Sequence, residues 1–352
     1  MWVKQAWLIC FELECQEDED MYGEYGNIKI CGIAAAAPKR IFDNIQYAEK
    51  LGDRHIKKLV SYTGIRTRHC VKIGQSASDL SCYCAEKLLR KLKWNRDEIR
   101  VLVNVTQSPD LHTPSTAMII QKRLGIGMDC IAFDVNLGCS GYVSGLQIVA
   151  ALLQNTGGKG LLLVGDGKYF EMPEVLTTNS MLFGDGGAAT AIELENGNPM
   201  LYSQKTDGTR YDMLYTPLNA ATQMDGNGVL LFSLGEVCDS IKEMWEHYDI
   251  QENSIDYYIL HQAQKMIVDG IAAECSIDDK KVLRSYEEYG NTATATIPIT
   301  ICNNVAELQK KERVRLYLCG FGIGLAWSSV VIDVNTACIY PIEETDYCYS
   351  DL

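Results

Sequence analysis

Residues 134–154 read DVNLGCSGYVSGLQIVAALLQ, and this stretch decides the fold of the chain. The β-branched and aromatic residues at 131–135 predict a strand that leads into it. After the turn Gly138-Cys139-Ser140-Gly141, apolar residues recur at helical spacing as far as Leu153. The sequence therefore predicts a strand, a glycine-rich turn and a helix, with Cys139 at the junction.

Cys139 is a candidate nucleophile because of this position. The unpaired N–H groups of a helix's first turn carry partial positive charge, which favours thiolate over thiol. The flanking glycines allow a tight turn and leave room for a substrate beside the sulfur. A cysteine that is simply one more small buried apolar residue would give the same pattern, so other parts of the chain must decide between the two.

Composition limits the possible functions. The chain has 352 residues, of which 47% are hydrophobic and 22% charged, as in ordinary globular proteins with room for two domains. Its formal net charge of -14 argues against nucleic acid and anionic membranes as primary partners. An acidic carrier protein remains possible, because it needs only a local basic patch.

The 14 cysteines contain no CxxC pair, so we expect reduced thiols rather than a disulfide framework or a metal site. In the first 20 residues a short apolar run is interrupted by Glu12 and Glu14, which predicts neither a signal peptide nor a membrane span. The sequence therefore predicts a cytoplasmic protein.

Strands and helices alternate along the chain, which predicts an α/β fold with mostly parallel sheets. The same order of elements occurs twice, and each time it closes on two successive apolar strands. Helices are predicted near 77–92, 234–248 and 296–309, among others. We expect four segments: an N-terminal extension (1–24), a first half (25–196), a second half (197–335) and an acidic, solvated tail (336–352).

Three candidate functional segments in the second half follow strands or precede a helix. Open α/β sheets place their binding and catalytic sites at such strand ends. The three segments are His261, Asn291 in the turn Gly290-Asn291-Thr292, and the glycine-rich turn at 320–324. Taken singly, each is weak: a loop histidine is often a plain core residue, and Asn291 could be a turn residue.

Taken in order, these motifs resemble those of β-ketoacyl-acyl-carrier-protein synthase III, a condensing enzyme of the thiolase fold. The resemblance runs from about Tyr25 to Val334. It implies two βαβαβαββ halves packed as a five-layer αβαβα sandwich, and a homodimer with the strand that follows the Cys139 helix near the partner. The motifs that carry it are 134–141, Thr63-Gly64-Ile65-Arg66, 183–187, 261–263, 290–292 with Ile297-Pro298, and 320–327.

The resemblance also assigns roles. Cys139 would accept an acyl group from a thioester, with backbone N–H groups of Cys139 and Ile323 holding the oxyanion. His261 and Asn291 would then stabilise the enolate formed when a malonyl-type thioester loses CO₂, without a metal or another cofactor. The donors implied are thioesters of acyl carrier protein or coenzyme A. Substrate-binding roles fall on Thr63, Arg66, Thr113 and Gln264.

The chain departs from the family pattern around the donor site. Lys58 and Tyr62 stand where a Trp and an Arg commonly sandwich the adenine of coenzyme A. Thr113 replaces a Phe at the acyl pocket, Gln264 replaces an Asn, and Met266 replaces a carrier-docking Arg. We therefore expect specialised rather than housekeeping fatty-acid metabolism, with carrier-bound donors preferred. Lys265 and a basic loop of Arg66, Arg68 and His69 would supply the docking charge.

Other functions stay open from the sequence. The same fold could pass an acyl group from Cys139 to an alcohol or amine, forming an ester or amide. Activating a hydroxyl would favour a carboxylate beside His261, whereas an enolate needs neutral donors such as Asn291. A non-catalytic partner subunit would need none of the three side chains, and a cysteine hydrolase is the remaining alternative.

Overall fold

The computed structural model describes residues 21–47, 52–167, 181–217 and 222–349. The predictions about residues 1–20 lie outside these ranges. Within them the chain is α/β, and none of its helices is long and apolar enough to cross a membrane. The strands are β1 Tyr22–Tyr25, β2 Ile28–Pro38, β3 Ile41–Asp43, β4 Thr67–His69, β5 Ile99–Val105, β6 Ile131–Val135, β7 Lys159–Asp166, β8 Gly186–Leu194, β9 Met200–Thr206, β10 Leu214–Tyr215, β11 Gln223–Met224, β12 Tyr257–Leu260, β13 Arg313–Gly322, β14 Ala326–Asn335 and β15 Glu343–Thr345.

The helices begin mostly where the sequence predicts them. The α-helices are α1 Asp53–Thr63, α2 Ala77–Leu92, α3 Thr116–Leu124, α4 Gly141–Thr156, α5 Gly226–Leu234, α6 Glu236–His247, α7 Lys265–Glu274, α8 Tyr286–Tyr289, α9 Thr296–Asn303 and α10 Val305–Leu308. The helix predicted at 234–248 corresponds to α6, whereas α5, which ends immediately before Gly235, was not predicted. The helix predicted at 296–309 breaks at Asn304.

Two large sheets and three helical layers make up the fold, and β3-β4 and β10-β11 form two small sheets beside them. The first sheet has strand order β15-β2-β8-β7-β5-β6 and the second β1-β9-β14-β13-β12. Helices α2 and α3 pack on the outer face of the first sheet, and α6 and α7 on the outer face of the second. Helices α4 and α9 lie between the sheets, so α4 is apolar on most of its surface. This is the predicted five-layer αβαβα arrangement.

The two ends of the described chain each pair with the sheet of the other half. Strand β1 pairs with β9 of the second sheet, and β15 pairs in parallel with β2 of the first. The predicted acidic tail thus joins the first sheet at 343–345, while Glu344 and Asp346 remain exposed. The charge of Glu343 is offset by Lys87 at 2.7 Å and by the Tyr83 hydroxyl at 2.6 Å, and Tyr349 N–H donates to Asp79.

The position of β7 bears on the predicted dimer contact. This strand follows the Cys139 helix, but it lies inside the sheet between β5 and β8. Among the described strands, β6 is the edge next to the nucleophile turn, and its residues are exposed or half-buried. A strand-to-strand contact with a partner would therefore use β6 rather than β7.

Candidate active site

Cys139 lies in the turn between β6 and α4, as the sequence predicts. Gly141 N–H donates to Gly138 O at 2.8 Å and closes the turn, and Ser140 provides the N-cap without a side-chain capping bond. The cysteine is half-buried, whereas most described cysteines are buried. The cysteine therefore lies at the start of a 16-residue helix and keeps part of its surface exposed.

Strand β13 packs directly against the Cys139 turn, and this close approach explains why β13 has glycines there. A Cβ atom on Gly320 would lie 2.9 Å from Cys139 O and 2.8 Å from Ser140 Cα. At Gly322, where φ is +152°, a Cβ atom would lie 3.0 Å from Cys139 Sγ. The side chain of Ile323 reaches Gly138, which places the predicted oxyanion residue beside the nucleophile turn.

His261 follows β12 and is almost completely buried, at 1% exposure. Its backbone N–H donates to Cys319 O at 2.8 Å, one residue before the glycine that touches Cys139. Nδ1 lies 2.8 Å from Thr296 Oγ1, and the ring meets Phe321 edge-on with centroids 5.5 Å apart. Burial lowers the pKa of His261 from 6.5 to about 3, so the imidazole is neutral at neutral pH.

Asn291 follows Gly290, which has φ +65°, and is 7% exposed. Its main chain is held on both sides: N–H donates to Leu182 O at 2.8 Å, and O accepts from Gly184 N–H at 3.1 Å. Its Oδ1 accepts from Ala293 N–H at 2.9 Å. Because Oδ1 is engaged in this way, the NH₂ group of the amide is the part left to donate.

The turn after Asn291 meets the Cys139 helix through Thr294. The Thr294 methyl lies 3.5 Å from the position of a Cβ on Gly141. The Asp166 carboxylate at the end of β7 accepts from Thr294 N–H at 3.2 Å, from its hydroxyl at 2.9 Å, and from Gln107 N–H at 2.7 Å. Asp166 thus joins the loop beside Gly138 to the Asn291 turn.

Asp166, Thr296 and Asp134 were missed as site residues. Asp134 accepts from Thr116 N–H at 2.6 Å and Ala117 N–H at 2.8 Å, so it holds the start of α3. Asp166 could have been noticed in the sequence, because a carboxylate at the end of an apolar strand, as in 161–166, indicates a buried charge that needs partners. Its partners could not be read from sequence, since Thr294 lies 128 residues away.

The predicted substrate-binding residues fall in two places. Thr63 is buried, and its hydroxyl is used within its own turn, donating to Leu59 O at 2.9 Å and accepting from Ile65 N–H at 3.2 Å. Arg66 is exposed, and Gln264 is the half-buried N-cap of α7 nearby. Thr113 is exposed on the separate loop that follows Gln107.

The predicted basic docking loop needs correction. Arg68 is 0% exposed and His69 4% exposed, so neither presents charge to a carrier protein. His69 stacks on Tyr289 with ring centroids 4.9 Å apart, and its Nδ1 lies 2.6 Å from Pro38 O. Lys265 forms an ion pair with Asp269 at 2.5 Å. Within that loop, Arg66 is the cation that reaches the surface.

Relatives match the chain over most of its length, and two family models match parts of it. The model for 3-oxoacyl-[acyl-carrier-protein] synthase III matches residues 133–208, and the model for its C-terminal part matches 246–334. The β-ketoacyl-[acyl-carrier-protein] synthase III of Clostridium perfringens is 30% identical over 325 residues, which cover 87% of this chain and 99% of that protein. The enzyme of the same name from Lactococcus lactis subsp. lactis is 28% identical, with 87% and 99% covered.

A solved structure agrees with these matches. The crystal structure of 3-oxoacyl-(acyl-carrier protein) synthase from Burkholderia xenovorans LB400 superposes with a TM-score of 0.88 at 28% identity, covering 93% of this chain and 99% of that one. The fold is therefore the thiolase fold that the motifs predicted. The chain belongs to the β-ketoacyl-[acyl-carrier-protein] synthase III family and is an acyltransferase.

Proposed function

We propose that this protein transfers an acyl group to Cys139 and then joins it to a malonyl-type thioester by decarboxylative Claisen condensation. The observation that carries the proposal is the pairing of an accessible cysteine at a helix start with two buried, neutral N–H donors, His261 and Asn291. Neutral donors suit an enolate, whose negative charge develops only during the reaction.

In the first step, Cys139 Sγ attacks the carbonyl of an acyl thioester. The N–H groups of Cys139 and Ile323 stabilise the tetrahedral oxyanion, and the donor's C–S bond then breaks. The departing thiolate takes up the proton that the Cys139 thiol has lost. The Ile323 turn suits this role because its side chain already contacts Gly138.

In the second step, the bond between the carboxylate and the α-carbon of the malonyl thioester breaks, and CO₂ leaves. The electron pair moves into the thioester, where His261 and Asn291 donate to the enolate oxygen. The mechanism requires the proton of His261 on Nε2, which faces the substrate; Nδ1 then accepts from the Thr296 hydroxyl, which lies 2.8 Å away. The carbanion then forms a C–C bond with the acyl carbonyl, and Cys139 thiolate leaves.

We further propose that the donors are carrier-bound acyl groups and that the pathway is specialised rather than housekeeping. Lys58 and Tyr62 are exposed, and Lys58 Nζ lies 5.5 Å from the centre of the Tyr62 ring. This pair presents no aromatic-guanidinium sandwich for an adenine. A homodimer formed along the β6 edge, and a cytoplasmic location, complete the proposal.

Intact-protein mass spectrometry after incubation with a panel of acyl thioesters tests the first step. We expect one acyl adduct on the wild-type protein and on Cys130→Ala, a matched control at another half-buried cysteine, and none on Cys139→Ala. Adding a malonyl thioester should discharge the adduct and release CO₂ with a β-ketoacyl product. A persistent adduct on Cys139→Ala, or discharge as the free acid alone, would contradict the proposal.

A further inference from the structure

Arg68 is a buried arginine whose side chain joins three segments that are distant in sequence. It lies in β4, which pairs with β3, and none of its surface is exposed. Its Nε donates to Asn44 Oδ1 at 3.0 Å, and its Nη1 donates to Phe183 O at 3.0 Å. Burying a guanidinium is costly, so its contacts deserve a functional explanation.

Asn44 is itself fixed, which orients the acceptor that Arg68 uses. Its Nδ2 donates to Ile65 O and to Met181 O, both at 3.0 Å. Since both donors of this amide point at carbonyl groups, Oδ1 is held towards Arg68 Nε. The same asparagine therefore ties the segment before Phe183 to the arginine.

The Phe183 carbonyl belongs to the short backbone bridge that holds Asn291. Phe183 pairs with Asn291, whose N–H and C=O bond to the two neighbours of Phe183. Arg68 also touches the other side of this bridge, because a Cβ on Gly290 would lie 3.0 Å from Arg68 Cγ. The arginine thus contacts both chains of the bridge, one through its guanidinium and the other through its aliphatic part.

We propose that Arg68 is a positioning residue that fixes Asn291 for enolate stabilisation. The inference rests on the proposed role of Asn291. A charge-assisted bond to Phe183 O holds one side of this bridge in place, and the bridge sets where the Asn291 amide points. Replacing Arg68 leaves two buried acceptors without their donor, which allows the bridge to shift.

Cys139 does not depend on this network, so the two half-reactions should separate. The nucleophile is held by β13 and by its own turn, through contacts with Gly320 and Gly322. Loss of Arg68 should therefore leave acylation within about threefold while decarboxylation falls by about tenfold to hundredfold, since a displacement on the order of 1 Å costs about a hundredfold in rate.

The experiment compares Arg68→Met, Arg68→Lys and Asn291→Ala, with Arg90→Met as the control at an exposed arginine. For each protein, acylation of Cys139 is followed by intact mass, decarboxylation by CO₂ release from a malonyl thioester, and folding by thermal unfolding. We expect Arg68→Lys, which keeps one donor, to recover part of the decarboxylation rate. We expect Arg68→Met to add no further loss when combined with Asn291→Ala, because it acts through that residue.

The outcomes distinguish this inference from the proposed function. Suppose that decarboxylation is impaired in Asn291→Ala. If folded Arg68→Met then decarboxylates normally, or loses acylation and decarboxylation equally, the role of Arg68 is overturned and that of Asn291 stands. Normal decarboxylation by Asn291→Ala overturns the role of Asn291 and, with it, that of Arg68. If Arg68→Met does not fold, Arg68→Lys and Asn44→Ala, which remove only part of the network, must show the same selective loss.

Discussion

The two halves of the molecule contribute to the site by different physical means. The first half presents a half-buried cysteine whose position depends on close packing against Gly320 and Gly322 of the second half, where any side chain would collide. The second half presents His261 and Asn291, both buried and held by hydrogen bonds. The nucleophile therefore depends on empty space around it, whereas the two donors depend on their buried polar partners.

The largest expected effect is a loss of decarboxylation that leaves acylation nearly unchanged, which distinguishes the contributions of the two halves. We expect His261→Ala and Asn291→Ala each to lower decarboxylation of a malonyl thioester by about a hundredfold to a thousandfold, the usual cost of removing one oxyanion donor. Acylation of Cys139 should change far less in both variants, because the start of α4 and the backbone of β13 beside Cys139 are kept, although His261→Ala loses its contact with the Phe321 ring. Single-turnover acylation and CO₂ release measure the two steps. Equal loss of both steps would remove the distinction between the halves.

A smaller effect tests the claim about space around the nucleophile. Gly322→Ala places a methyl group 3.0 Å from Cys139 Sγ and strains a residue with φ +152°, so we expect acylation to fall by about tenfold to hundredfold. Gly197→Ala is the matched control, because nothing lies within 4 Å of the added methyl. Unchanged acylation in Gly322→Ala would show that the turn can shift to accept the methyl group, and would contradict the claim that Cys139 needs this space.

The parts of this site that sequence could predict are the local ones. Apolar periodicity and the glycine turn placed Cys139 between β6 and α4, because strand, turn and helix preferences act over a few residues. The end of β12 was predicted for the same reason, whereas β13 continues to Gly322, into the glycine-rich turn predicted at 320–324. Helix α5 was missed because its sequence, GNGVLLFSL, begins with glycines and is then almost uniformly apolar, which gives no helical spacing.

What could not be predicted depends on partners far along the chain. Arg68 resembles a docking residue in sequence, yet its acceptor on Phe183 lies 115 residues away and buries it. The contacts of Glu343 in the acidic tail were not predicted, because its basic and hydroxyl partners are on α2, more than 250 residues earlier. Charge alone gives no sign of such pairings.

The donor preference is expected to be about tenfold and tests the surface near Lys58. Loss of stacking on the adenine costs ~1 to 3 kcal/mol, and about 1.4 kcal/mol is a factor of ten in affinity. The same acyl group should therefore acylate Cys139 faster from a carrier protein than from coenzyme A. The double substitution Lys58→Trp with Tyr62→Arg should raise the rate with coenzyme A and leave the carrier rate unchanged. Faster acylation from coenzyme A at both low and moderate salt would contradict the preference.

The smallest expected effect is the response of decarboxylation to pH. With burial holding the pKa of His261 at about 3, the imidazole stays neutral, so the rate should stay within about twofold between pH 8 and pH 5.5. The Cys139→Ala protein is the one to measure, because it removes the titration of the nucleophile. A fall in rate centred near pH 6.5 would show that His261 keeps its ordinary pKa.

The same burial makes stability depend on pH, with a definite sign. Between pH 6.5 and about pH 3 the unfolded chain binds a proton on His261 that the folded chain does not, so acid favours unfolding there. The free energy of unfolding should fall by up to about 1.4 kcal/mol for each pH unit below 6.5 from this group alone. The variant His261→Gln lacks the titrating imidazole, while all other titratable groups contribute equally to the pH dependence of the wild type and of the variant. Denaturant unfolding at pH 7 and pH 5 should therefore show a larger fall in the free energy of unfolding for the wild type than for His261→Gln. Equal falls in the two proteins would mean that His261 is protonated in the folded state as readily as in the unfolded chain.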